Sequence, residues 1–239
     1  MAVAFSGGVG SATFGAVPCG TYTAMGARDR LHTLRRVGTS MPVFDGTDPG
    51  NLVATFTSAS GAALRGGNIN DDGFIDILDF GGYIGRLGQS PGADTACATP
   101  ALHADFSGNG SIGAEDFTFI QSNFLAAGEP DACAPLAGDG PVADISVADL
   151  IARGDWDIAR GDLNMDGRLN GLDVAFLAVN GPPACRADFN GVGGVTVQDV
   201  FDFINAWMAG HPAADVDDDR RVTVPDIFGF LSMWFAGCP

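Results

Sequence analysis

Asp162-Leu163-Asn164-Met165-Asp166-Gly167-Arg168-Leu169-Asn170-Gly171-Leu172-Asp173 is the stretch on which the reading of this chain turns. Oxygen-bearing side chains fall on residues 1, 3, 5, 9 and 12 of the twelve, Gly167 stands at 6, and Arg168 offers its carbonyl at 7. In a tight loop alternate residues turn inward, so this spacing surrounds one hard cation with oxygen, and glycine at the sixth place makes the sharp turn. Calcium tolerates such an irregular shell, whereas magnesium demands a near-octahedral one.

Working outward, the pattern recurs four times. Asn68, Asn70, Asp72, Phe74 (carbonyl), Asp76 and Asp79 form a loop around Gly73, with Asn in the first place. Asp105, Ser107, Asn109, Ser111 (carbonyl) and Asp116 form another around Gly110, with Gly113 leaving the ninth place to water. Two loops are less regular. Asp188, Asn190, Thr196 and Asp199 are in register, but Val192 removes the fifth ligand. Asp215, Asp217, Asp219, Thr223 and Asp226 are rich in charge, but Arg220 replaces the turning glycine. Positive φ costs a non-glycine residue about 1–2 kcal/mol. The spacing therefore predicts tight sites at 68–79 and 162–173, a moderate one at 105–116, and weak or empty ones at 188–199 and 215–226. The eighth residue is Ile75, Ile112, Leu169, Val195 and Val222 in turn, an apolar position expected to form a short β-bridge between paired loops.

Each loop is followed by an amphipathic segment, and the last two units repeat at an offset of 27. Val200, Phe203, Ile204 and Trp207 fall on one helical face, as do their partners Ile227, Phe230, Leu231 and Trp234. Thr196 and Thr223 precede Asp199 and Asp226 by three residues, a capping box at each helix start. Pro225 sits in a first turn that needs no amide donor. The aromatic stripes read as two helices packing together.

The composition agrees. Acidic residues number 29 against 12 basic ones, for a net charge of −17, and 27 of the acids are Asp. Asp is a poor helix former that prefers turns, caps and metal loops. Such a surface would repel nucleic-acid phosphates. The basic run Arg28-Asp29-Arg30-Leu31-His32-Thr33-Leu34-Arg35-Arg36 reads as the solvated face of a strand. No apolar stretch approaches the ~20 residues that cross a bilayer. No signal peptide is visible, which suits a mature form or, as we expect from residues 1–10, a fragment of a larger secreted protein. Five cysteines without a CxxC resemble a disulfide framework more than a zinc site.

Residues 1–66 alternate apolar and polar side chains between Gly and Pro breaks. Ser11–Val17, Thr21–Met25 and Leu52–Thr57 read as short strands of a partial antiparallel β-sandwich, with turns at Pro18–Gly20 and Asp45–Gly50. The run from Val17 to Tyr22 resembles a strand of carboxypeptidase-regulatory-like or Cna-B-like accessory domains. His32, His103 and His211 are isolated, and Gly7-Gly8-Val9-Gly10 precedes a strand-like run, so neither catalysis nor phosphate binding is expected. Asp rather than Glu at the twelfth place argues against a calmodulin-like sensor.

Loop–helix units closed by Asp, with no helix before the loop, resemble the dockerin family over residues 67–239. The ending Trp234-Phe235-Ala236-Gly237-Cys238-Pro239 resembles the C-terminal dockerin-like modules of planctomycete-type secreted proteins. The resemblance implies a mostly α fold of tandem loop–helix pairs behind the β-sandwich segment: 67–137, a degenerate pair at 138–183, and 184–239. In the middle pair Asp144–Ile151 keeps the helix without the loop. It also implies disulfides Cys185–Cys238 and Cys97–Cys133, with Cys19 left over. Two to three Ca²⁺ ions are expected. Dockerins meet their cohesin partner through loop positions 10 and 11, here Ile77 and Leu78, Ala114 and Glu115, Gly171 and Leu172, Val197 and Gln198, Val224 and Pro225. These are more apolar than the hydroxyl pairs of well-known dockerins. Two roles follow as expectations: extracellular attachment to a cohesin-like or cell-surface protein, or a calcium-stiffened stalk on a secreted polysaccharide-active enzyme or adhesin.

Overall fold

The computed structural model describes residues 5–6, 9–10, 26–28, 33–37, 43–44, 52–53, 56–59, 61–91, 104–130, 139–183 and 185–238. The expected strands at 11–17 and 21–25, both turns, and Cys19, Cys97 and Cys133 lie outside these residues.

In the first segment the strands are two residues each: β1 (Phe5–Ser6), β2 (Val9–Gly10), β3 (Gly26–Ala27), β4 (Thr33–Leu34), β5 (Arg36–Val37), β6 (Val43–Phe44), β7 (Leu52–Val53) and β8 (Arg65–Gly66). They pair antiparallel as β1–β2, β3–β5, β4–β8 and β6–β7. From residue 74 onward come β9 (Phe74–Ile75), α1 (Ile77–Ile84), α2 (Ala114–Asn123), β10 (Ala126–Ala127), β11 (Asp144–Ser146), α3 (Val147–Arg153), α4 (Trp156–Ala159), β12 (Arg168–Asn170), α5 (Gly171–Asn180), α6 (Val197–Ala209), a 3₁₀ turn (Pro212–Ala214) and α7 (Val224–Ala236).

This architecture corrects the expected fold class. Among the described residues every sheet is a separate two-stranded ladder, so no pair of layers stacks into a sandwich. The seven α-helices among the described residues run only 4 to 13 residues. The chain is a mixture of short helices and antiparallel ladders, not a mostly α tandem array. The physical reason lies in the loops, which hold their own turn hydrogen bonds and occupy the residues a helical fold would use.

Two apolar cores organise the molecule. The first joins Leu34, Ile75, Phe80, Tyr83, Ile120, Leu150, Leu169 and Leu177, and so runs from the first segment through the first pair into the middle unit. Gly81 shows how close that packing is, because a Cβ there would meet Ile158 at 2.5 Å. The second core holds Phe203 and Phe230. Their rings stack at 4.1 Å with Phe189 edge-on to both.

The basic run also departs from expectation. Arg36 is buried: it donates to the Gly61 carbonyl at 2.6 Å and pairs with Glu129 at 3.0 Å. Thr33 and Leu34 pair with Gly66 and Arg65. Arg28 reaches Asp71 of the first loop at 2.8 Å. A guanidinium can be buried when its donors find a carbonyl and a carboxylate, and the described residues of the run, Arg28 and Thr33 to Arg36, therefore form a seam with Arg65–Gly66, Glu129 and Asp71 of the first loop.

Candidate metal centres

Every loop ends in a buried aspartate that does two jobs. Asp79 accepts from the Ile69 amide at 2.6 Å with one oxygen and from Asp76 at 2.9 Å with the other. Asp116 does the same with Ser107 and Gly113, and Asp173 with Leu163 and Asn170. Asp199 takes Asn190 and Thr196, and Asp226 takes Val216 and Thr223. All five are fully buried. Each one ties the start of its loop to the N-cap amide of the helix that follows, which completes a capping box at α1, α5, α6 and α7, while Gly113 before α2 has no side chain to return the bond.

The first residue of each loop is buried too: Asn68, Asp105, Asp162, Asp188 and Asp215. Asp105, Asp162 and Asp215 accept the amide of the sixth residue at 2.8, 2.8 and 2.9 Å. Backbone geometry is common to all five loops. The fourth residue has positive φ in each (Asp71, Gly108, Met165, Gly191, Asp218), and so does the sixth (Gly73, Gly110, Gly167, Gly193, Arg220). Arg220 adopts φ 64°, so the fifth loop keeps the turn despite the missing glycine.

The ninth residue acts mainly as a helix cap. The Asp76 carboxylate accepts from Leu78 at 2.8 Å and from Val142 at 2.7 Å, which ties the first loop to the chain entering the middle unit. Asn170 caps α5, and Thr196 caps α6. In the fourth loop the Asn190 amide reaches Asp202 on α6 at 2.8 Å. Phe74, Ser111 and Arg168 stand at the seventh place; the Arg168 side chain turns away to Asp144 at 2.5 Å.

Burial pushes the carboxyls of Asp79 and Asp173 up, the latter to about 6, against the pull of their amide donors. Asp76 is raised for the same reason. Burial would also raise Asp218, but Arg186 and Arg160 hold it below the usual carboxylate range. A buried carboxyl that resists ionisation is one that a hard cation would favour in its charged form.

Two observations test whether these residues fit such a cation. One carboxylate oxygen from each of Asp215, Asp217 and Asp219 lies within 4.8 Å of the others, in the loop that sequence spacing ranks among the weakest. Asn68 Oδ1, at the head of the first loop, is buried without a hydrogen-bond partner. An all-oxygen donor set of this kind suits calcium.

Comparison with known proteins finds no match among family models, curated proteins or solved structures. The site therefore rests on its own geometry.

The expected bridge between eighth residues takes a different form. Ile75 pairs with Ala126 beyond α2, and Ile112 exchanges main-chain bonds with Gly88 and Gln89 beyond α1. Leu169 pairs with Ile145. Side chains that the spacing does not single out complete the closure. Tyr83 donates to the Gly113 carbonyl at 2.9 Å, Trp207 to Thr223 at 2.6 Å and Trp234 to Thr196 at 2.7 Å. Each indole or phenol pins the ninth residue of the opposite loop. Their place at or near helix ends in an aromatic stripe is the only sequence signal for this role. Cys185 and Cys238 are joined in a disulfide across the ends of the last pair. His32 and His103 lie outside the described residues, while His211 is buried against Asp162 at 3.2 Å. No helix among the described residues is long and apolar enough to cross a membrane.

Proposed function

We propose that the chain is a non-enzymatic, calcium-binding attachment module of the dockerin kind, working outside the cell. The observation that carries the reading is the common geometry of the five loops. Each has a buried residue at its head, a buried aspartate at its twelfth place and positive φ at its fourth and sixth. The converging carboxylates of Asp215, Asp217 and Asp219 add to it. When bound, calcium would supply charge neutralisation for acids that otherwise repel one another. The loop residues that the spacing marks would hold it, with Phe74, Ser111 and Arg168 giving carbonyls. Two to three ions suit the regular loops together with the fifth, where the carboxylates converge.

For attachment, the last pair displays a duplicated apolar set. Val197 and Val224, Phe201 and Phe228, and Met208 and Phe235 occupy equivalent places, all more than half exposed. Exposed large apolar residues in a cluster mark interaction surfaces. Leu172 is also open to a partner, whereas Ile77 is buried and excluded from contact. The partner favoured by this face is an apolar protein surface of the cohesin-like or cell-surface type, and the disulfide suits an oxidising compartment. A calcium-stiffened stalk with no specific partner is the second reading, favoured by the continuous first core from Leu34 to Leu177.

Calorimetric titration with calcium tests the first claim. Binding of two to three ions is expected, with a melting temperature about 10 °C or more above that in EDTA, as two sites well above their Kd would give. No heat of binding and no effect of EDTA would overturn it.

A further inference from the structure

The third and fifth loops are held by side chains from each other's neighbourhood. Asp162, at the head of the third loop, accepts from His211 Nε2 at 3.2 Å, and His211 belongs to the link between α6 and the fifth loop. The His211 Nδ1 accepts the Ala213 amide at 3.2 Å, so the ring proton sits on Nε2 and is donated to Asp162. In return Asp215, at the head of the fifth loop, accepts from Trp156 Nε1 at 2.9 Å and from Arg160 Nη2 at 3.2 Å. Trp156 and Arg160 belong to α4 and its cap, just before the third loop. Arg160 also donates to the Asp215 carbonyl at 2.9 Å and pairs with Asp218 at 2.6 Å.

The chemistry is the same on both sides. In each aspartate Oδ2 takes the bond from the other unit together with the amide of its own sixth residue, Gly167 or Arg220. Oδ1 accepts from the fifth residue at 3.2 Å in both. Groups that fix one oxygen of a ligating carboxylate orient the other, and their loss typically weakens metal binding by about 10–100-fold. His211 is buried and Trp156 and Arg160 are partly buried, and the Asp162 and Asp215 carboxylates that they hold are themselves buried.

We infer that His211, Trp156 and Arg160 are positioning residues that couple the third and fifth loops, so that a cation in one loop strengthens binding in the other. The inference rests on the calcium reading above. Ordering one loop fixes the head of that loop, the head fixes the brace, and the brace presents the other head already oriented. Linkage makes the coupling reciprocal, about fivefold or more in affinity.

The test follows each loop separately by ¹⁵N NMR of the full chain during calcium titration. The reporters are the amides of Gly167 and Arg220, each bonded to the head of its own loop. D219A, which touches no brace residue, should silence Arg220 and raise the calcium midpoint at Gly167 at least fivefold. D166A should silence Gly167 and raise the midpoint at Arg220 by the same factor. In a W156F/R160M/H211N background, which removes all three brace residues, D219A should leave the Gly167 midpoint unmoved. If D219A does not fold, D217N, at an exposed position of the same loop, serves with the same readout. Calcium responses at both loops, with Gly167 unmoved by the fifth-loop variant, would overturn the coupling alone. A parent chain whose amides ignore calcium would overturn the coupling and the calcium reading together.

Discussion

The first loop–helix pair, residues 68–127, and the last, residues 188–237, share loops, caps and helix faces, yet they are closed by different bonds. In the first pair main chain does the closing: Ile75 with Ala126, Ile112 with Gly88 and Gln89, and one phenol from Tyr83. In the last pair side chains do it. Trp207 and Trp234 each donate to the opposite ninth residue, Phe203 stacks on Phe230, and the disulfide joins the two ends. The chain beyond α6 explains part of the change. There Pro212 has no amide to offer a ladder, and the residues after Gly210 turn into a 3₁₀ segment. Main-chain closure needs a free extended segment after each helix; where that segment is lost, aromatic donors can do the same work.

The comparison can be broken most forcefully at the disulfide. Cys185→Ser with Cys238→Ser opens a link across a sequence separation of 53, for which chain entropy predicts about 4 kcal/mol. Denaturant unfolding should place that loss in the last pair, read by the fluorescence of Trp207 and Trp234, with the first core unchanged. An equal loss in both cores would mean that they unfold as one.

A smaller effect separates the cores by pH. Asp79 and Asp173 belong to loops packed on the first core, and burial raises both carboxyls. A raised carboxyl stabilises the fold while protonated, so without calcium that contribution is complete below about pH 4 and is lost as pH rises through about 6 for Asp173. The calcium-free first core should therefore lose on the order of 2 kcal/mol between pH 4 and 7. With calcium the sign reverses, because the ion needs the charged form and competes with protons. Melting curves in EDTA and in calcium across that range should cross; parallel curves would show that these carboxyls do not titrate as described.

The smallest effect sharpens the contrast most. Trp207→Phe and Trp234→Phe keep the aromatic packing but remove one donor each, at about 1 kcal/mol apiece. Tyr83→Phe should cost less, because main-chain bonds of Ile75 and Ile112 back it up. Equal losses for all three, measured by chemical denaturation, would leave the two modes of closure indistinguishable.

The loops were legible in the sequence because their bonds are local. Asp226 reaches Val216 and Thr223 within its own twelve residues, so spacing alone forecasts the capping box. Spacing ranked the 215–226 loop low for want of a glycine, yet Arg220 takes φ 64° because its amide bonds Asp215 and offsets part of the strain. The seam at Arg36 was missed because nothing adjacent signals Glu129, whose pairing lies 93 residues along.

Alternating oxygens, caps and amphipathic faces were thus determined by the sequence itself, since each depends on contacts a few residues apart. Only the tertiary structure decided which segment closes each loop, that the first segment and middle unit share one core, and that Asp162 and Asp215 are held from across the molecule. Those choices depend on which donors and apolar faces remain unsatisfied once the local structure has formed, and a linear pattern of residues does not contain that remainder.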